Sequence, residues 1–269
     1  MASPIRWLFC EGEQGSPDVL LLRAVVNGLG VQVQPCGSKD GLPAFARGFV
    51  RRGATDDYLV FRDRDFDAEP TPRRQLLRDP LQRARVWLGH RAAVENYLLS
   101  PTLLHAWLAR PDFSEADVAG LLNESARDLL AHQAARWSLA VMRPAGLSLP
   151  RLHAISGTDG ELPADLSADA CRAAAAARLQ PVATGLRELG MNAFDEQCQR
   201  WTARFSSDSF WSGAEWLVWF HGKDLRTAVA RRLSNVHWSH YLAYAATHLD
   251  WRQHPDLVQL HDLIKDRTS

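Results

Sequence analysis

The stretch YLVFRDRDFD, residues 58–67, runs from four apolar and aromatic residues straight into three aspartates at alternate positions. A continuous apolar run of this length suits a strand buried on both faces, as in a parallel sheet. Side chains alternate along extended backbone, so Asp63, Asp65 and Asp67 are expected to project to one side at the strand's carboxyl end. That is where α/β sheets collect their ligands. Three anions held together repel one another unless a cation or several donors neutralise them, and hard oxygen ligands favour Mg2+ or Mn2+ over zinc. The alternative at this point is a solvated turn in which Arg62 and Arg64 act as counter-charges, since Asp-x-Asp is short and common.

Working outward toward the start of the chain, Arg6 to Cys10 predicts a strand that ends at Glu11-Gly12-Glu13-Gln14-Gly15, a polar glycine loop. Ser16 is a helix N-cap, Pro17 suits the first helical position, Asp18 complements the dipole, and the helix stops at Gly28. Val31 to Gln34 alternates as a strand, residues 35–41 form a loop containing Lys39, and Phe45 to Arg52 predicts a second helix. The resulting β-α-β-α-β order implies an α/β fold with a parallel sheet and right-handed crossovers, bringing Glu11 and Asp63 to one crevice.

On the other side, residues 68–81 are rich in Pro and Arg and read as an exposed loop with some helix. Arg73, Arg74 and Arg78 there either meet phosphates or simply face solvent. Arg85 to Leu88 predicts a fourth strand. After it, HRAAVENYLL (residues 90–99) returns a carboxylate, Glu95, which is either a further metal ligand or a first-turn glutamate serving a helix dipole. From Pro101 the spacing is helical, with Ser114 and Glu115 opening one helix and a Pro- and Gly-rich loop over residues 144–165. Trp211, Trp216 and Trp219 read as core or interface. Lys223, after Gly222 at a helix entrance, is either a phosphate ligand or a turn lysine; the spacing is not that of a Walker loop. His237, His240 and His248 lack a zinc-like ligand pattern.

Lys plus Arg and Asp plus Glu both number 31, so net charge gives no argument for or against a nucleic-acid partner. The four cysteines form no CxxC pair, which indicates neither a zinc site nor a disulfide framework. No apolar run reaches the roughly 18 residues a membrane span needs, and no leader precedes the first strand, so a cytoplasmic location without membrane partners is expected.

The segments FCEGEQGSPD, VFRDRDFD, HRAAVENYLL and FHGKDL, taken in order, resemble TOPRIM-fold proteins. More narrowly, they look like the TOPRIM-like nucleases related to the OLD family, including those that accompany ABC-type ATPases in phage-defence systems. The resemblance covers about the first hundred residues and the Gly-Lys element. It implies a TOPRIM-like catalytic domain over residues 1–100, followed by a mainly helical region over 101–269. By the same resemblance, Glu11 is a metal ligand and general acid or base, Asp63 and Asp65 are the metal-binding pair, and Glu95 is the further acid. Asp67 extends the pattern, and Asp18 falls where an additional acidic ligand can stand. The implied activity is Mg2+- or Mn2+-dependent endonucleolytic cleavage of DNA or RNA, with Lys39, Arg91 and Lys223 as phosphate contacts. The implied partners are nucleic acid, an ABC-type ATPase and a second copy in a homodimer. Neither an active-site tyrosine domain nor a zinc module accompanies the motifs, which argues against topoisomerase or primase activity. Two rivals are a non-catalytic docking or sensing subunit of an ATPase and, less well supported, a nucleotide-sugar transferase with its own Asp-x-Asp metal site.

Overall fold

Among the described residues, five strands form one sheet: β1 (Trp7–Cys10), β2 (Gln32–Pro35), β3 (Tyr58–Arg62), β4 (Leu77–Arg78) and β5 (Val86–Leu88). Their spatial order is β2-β1-β3-β5-β4. β1 pairs parallel with β2 and β3, β3 pairs parallel with β5, and β4 runs antiparallel along the outer edge of β5. The apolar run is thus a central strand, and every residue of β3 is buried. β4 departs from the expectation of a loop over 68–81: two residues pair there, too few to leave an alternating pattern in the sequence. The structure, a computed structural model, describes residues 4–37, 41–51, 57–81, 83–142, 161–183, 190–233 and 235–268.

Local signals set the helices between the strands. α1 (Pro17–Val25) starts as its sequence dictates: Ser16 accepts from the Val19 amide, Pro17 opens the first turn and Asp18 follows. α2 (Leu42–Arg51) lays Leu42 and Ala46 against Phe9, Tyr58, Val60 and Val86 of the sheet. A short helix, α3 (Glu95–Leu98), and α4 (Pro101–Leu108), capped by Ser100, follow β5.

The chain divides into two compact units, residues 1–109 with 237–269, and residues 110–236. The second unit is helical in its described residues: α5 (Glu115–Asp128), α6 (Leu130–Val141), α7 (Ala168–Ala183), α8 (Met191–Phe205), α9 (Asp208–Ser212), α10 (Trp216–Trp219) and α11 (Gly222–Arg232). α5 begins with a capping box between Ser114 and Asp117. Trp137, Trp201, Phe205, Phe210, Trp219 and Phe220 are buried side by side, so the aromatic residues of this unit form core. Most of the loop expected over 144–165 lies outside the described residues.

The remaining helices, α12 (Trp238–His248) and α13 (Pro255–Thr268), return to the first unit, where the sequence placed all of 101–269 in one helical region. Both pack on α1. The Tyr241 hydroxyl donates to the Leu98 carbonyl at 2.6 Å, the Leu76 amide donates to Gln259 Oε1 at 2.8 Å, and His261 Nδ1 lies 2.8 Å from the Val25 carbonyl. No helix among the described residues is long and apolar enough to cross a membrane.

Candidate functional site at the ends of β1 and β3

In the order β2-β1-β3-β5, the chain leaves β1 toward one side of the sheet and leaves β3 toward the other. A crevice opens at the carboxyl ends of such a strand pair. Glu11 directly follows β1 and Asp63 directly follows β3. Glycine makes the β1 side possible. Gly12 sits at φ +84°, and a Cβ on it would come 2.5 Å from Ser16 Oγ. Gly12 also exchanges backbone hydrogen bonds of 2.9 and 3.0 Å with Gly37, itself at φ +74°, which ties the loop after β1 to the loop after β2. The turn carries the chain from Glu11, at the end of β1, to the first turn of α1 with Asp18, and both side chains are partly buried.

The β3 side is fixed by bonds to the segment after β5. The Asp65 amide donates to the Ala92 carbonyl at 2.7 Å, the Val94 amide donates to Asp63 Oδ1 at 3.0 Å, and Arg64 Nε donates to the His90 carbonyl at 3.1 Å. Asn96 Oδ1 closes the same turn by accepting from the Ala93 amide at 2.9 Å. The turn leads into α3, whose first residue is the buried Glu95.

The alternation expected of Asp63, Asp65 and Asp67 stops with the strand. Asp65 adopts φ +47°, a left-handed conformation that breaks the period of two. Asp67 is ion-paired with Arg62, which also reaches Asp79 at 3.1 Å. Asp67 therefore leaves the expected alternating row and serves as a counter-charge to Arg62. Arg64, fully buried, donates to the carbonyls of His90, Asp65 and Ala68, and burial pulls its pKa down to about 10. The adjacent arginines thus serve Asp67, Asp79 and the backbone.

The electrostatics of Asp63 follow from this placement. Burial pushes its carboxyl well above the ordinary carboxylate range, and Asp18, Glu11, Asp65 and Glu95 push in the same direction. The Cys10 thiol, raised first by burial, registers Asp18, Glu11 and Asp63 as well. Both groups therefore lie within electrostatic reach of the same acids near the strand ends. Among the described residues no three His, Cys, Asp or Glu side chains stand close enough together to hold a metal ion as placed. The donor set is all oxygen and strongly anionic, which fits a hard divalent cation in charge and chemistry. Rotation of the carboxylate side chains would be needed to close on one.

Of the expected phosphate contacts, Lys39 lies outside the described residues. The Arg91 guanidinium donates to the Asn96 carbonyl and lies 5.2 Å from the Tyr97 ring centroid, and burial lowers its pKa. Lys223 is the second residue of α11, in the other unit. Its neighbours His221 and Asp224 are fully buried, and Asp224 accepts from Arg136 and, at 2.7 Å, from Gln133 Nε2. Sequence reasoning missed that set, and it missed Asp256. Asp256 Oδ2 accepts from the buried Tyr97 hydroxyl and, at 2.8 Å, from the His90 amide, anchoring the Glu95 turn to α13. The only signal was the polar Asn96-Tyr97 pair in an otherwise apolar stretch.

No family model, no curated protein and no solved structure matches this chain.

Proposed function

We propose that this chain is a metal-dependent nuclease of TOPRIM-like architecture, hydrolysing phosphodiester bonds of DNA or RNA. The observation that carries the reading is Asp63: a buried carboxyl at the switch point of a parallel sheet, surrounded by Glu11, Asp18, Asp65 and Glu95. Burying like charges together is unfavourable, and a divalent cation is the species that would relieve it. Perturbed carboxylates in such a crevice mark functional sites more often than structural ones.

A bound Mg2+ or Mn2+ would lower the pKa of its water and offset charge on the phosphoryl oxygens. The chain's own part is to hold and orient. The Val94 amide fixes Asp63 Oδ1, leaving Oδ2 as the oxygen that would bind a cation. Asp65 and Glu95 are held by the same turn, and Glu11 approaches from β1 as the group that takes or gives the proton. Arg91 supplies positive charge to phosphate oxygens.

Cleavage of single- and double-stranded DNA and RNA with Mg2+ or Mn2+ tests the proposal. Glu11→Gln and Asp63→Asn are each expected to lower the rate by at least about 100-fold, the scale of losing a positioned proton-transfer group, with circular dichroism unchanged. Full cleavage by both variants would reject the site. A second reading is a docking or sensing subunit of an ATPase that does not cleave, since no three of the described acidic side chains stand close enough to hold an ion as placed. Tight Mg2+ binding lost in Asp63→Asn, with no cleavage of any substrate, selects that reading. An ABC-type ATPase as partner, in phage defence, belongs to the same proposal and rests on the motif resemblance; co-purification from the native host tests it.

A further inference from the structure

Several arginines in this chain are matched to carboxylates: Arg62 to Asp67 and Asp79, Arg83 to Asp79, Arg172 to Asp195, Arg232 to Glu124 and Asp128. Arg74 and Arg91 are not. Arg74 is exposed and, among the described residues, makes no hydrogen bond or ion pair. Arg91 is partly buried, with its guanidinium on the Asn96 carbonyl and no carboxylate within ion-pair distance among the described residues.

Backbone geometry brings the two together at one end of the sheet. Leu77 of β4 pairs with Leu88, the last residue of β5, so the chain just before β4 lies at the carboxyl end of the parallel strands. This is the end that carries Glu11 and Asp63. Two residues past Arg74, the Leu76 amide is bound to Gln259 of α13. On the same helix, Asp256 holds Tyr97, whose ring faces Arg91 at 5.2 Å and meets the His254 ring edge-on at 5.3 Å. Arg74 is close enough to act as a like charge on Arg91, His90 and His254. Burial together with Arg91 and Arg74 pulls His254 down to about 4, so the imidazole is neutral at physiological pH. Asp256 offsets part of the positive charge at Arg91 and His254, whereas Arg74 adds a guanidinium at the exposed edge that no carboxylate partners among the described residues.

We propose that Arg74 and Arg91 form a subsite for a backbone phosphate of a nucleic-acid strand, next to the one cleaved at the carboxylates. Guanidinium suits this ligand because its planar donors match two phosphate oxygens at once. The exposed Arg74 is the outer jaw, and Arg91, steadied by Asn96 and Tyr97, is the inner one. The subsite deepens the nuclease reading and is tested apart from it, in EDTA, where no cleavage occurs.

The measurement is fluorescence anisotropy with a short single-stranded oligonucleotide and with the same strand carrying uncharged methylphosphonate linkages. Arg74→Ala is expected to lower the slope of log affinity against log salt by about 0.7, the contribution of one phosphate contact to a single strand. Arg74→Glu is expected to weaken the phosphodiester strand about tenfold or more and to leave the methylphosphonate strand unaffected. Arg74→Glu should also keep or raise the melting temperature and raise the His254 pKa, read by NMR, since it replaces a repulsion with an attraction. Equal binding of the phosphodiester strand by wild type and Arg74→Glu, or an equal loss for both strands, overturns the subsite. Wild type that binds in EDTA yet never cleaves with Mg2+ ends the nuclease reading and leaves the subsite standing. Cleavage that Arg74→Glu does not slow ends the subsite alone.

Discussion

Asp63 and Asp224 are both buried, at 6% and 0% exposure, and each lies in its own unit of the chain. Burial pushes both carboxyls upward, and what surrounds them decides the rest. Around Asp224 stand Arg136, Gln133, His132 at 3.6 Å and His221 at 3.9 Å, and together they hold its pKa well below the ordinary range. Around Asp63 stand four more acids, which add to the effect of burial. One environment was assembled to keep a charge, the other to make it unfavourable. A fold tolerates the second kind when a ligand completes it, which is why the acidic crevice reads as a site and the Asp224 cluster as structure.

The largest effect that would break this contrast is at Asp224. Asp224→Ala leaves Arg136 buried without its carboxylate, and losing one partner of a buried pair costs about 3–5 kcal/mol. Urea denaturation, with hydrogen exchange followed in α6 and α11, checks it. A cost under about 1 kcal/mol would mean that the cluster is not what holds those helices together. The sign with pH is fixed by the lowered pKa: the carboxylate's stabilisation is present above the ordinary range near 3.8 and is lost as pH falls through its depressed value.

A smaller loss is expected at Gly12. Gly12→Ala forces an alanine to φ +84° with its Cβ against Ser16 Oγ, for a cost of about 1–3 kcal/mol. The turn that carries Glu11 should relax with it, so metal affinity is expected to fall by more than the stability loss alone explains. Isothermal titration with Mg2+ beside a thermal melt separates the two. An alanine variant as stable as wild type would show that the turn has another conformation open to it.

These residues also mark how far the sequence could be read. The β1–α1 turn was legible because its signals are local: Gly12, Ser16, Pro17 and Asp18 each act within a few positions. β3 was legible from its apolar run. Asp67 was expected to project beside Asp63 because a period of two was carried past Arg62, and only the φ of Asp65 shows where that alternation stops. The Asp224 cluster left no trace, since Arg136 lies 88 residues upstream of it. The return of residues 237–269 to the first unit was hidden for the same reason: Asp256 and Gln259 find Tyr97 and Leu76 across 159 and 183 positions. Local rules describe caps and strands, whereas burial of a polar group depends on a partner that no window of sequence contains.

The smallest effect gives the sharpest test, because its sign is unusual. Asp63→Asn keeps an oxygen for the Val94 amide and removes one charge from five crowded acids. Most buried substitutions destabilise, but above the folded pKa, where Asp63 is charged, this one is expected to stabilise by about 1 kcal/mol, in the range of relieving a functional strain. The pH dependence follows from the raised pKa. In wild type the folded state binds the proton that the unfolded state gives up near 3.8, so the stability from protonated Asp63 is full below that value and is lost as pH rises through the folded pKa. In Asp63→Asn that decline disappears. Mg2+ should stabilise wild type more as pH rises through the folded pKa and do little for the variant. Urea titrations of both proteins at mildly acidic and neutral pH, with and without Mg2+, compare the four cases. An asparagine variant less stable than wild type at neutral pH, with the same response to Mg2+, would put Asp63 beside Asp224 as structure and remove the reason to look for an ion between the strands.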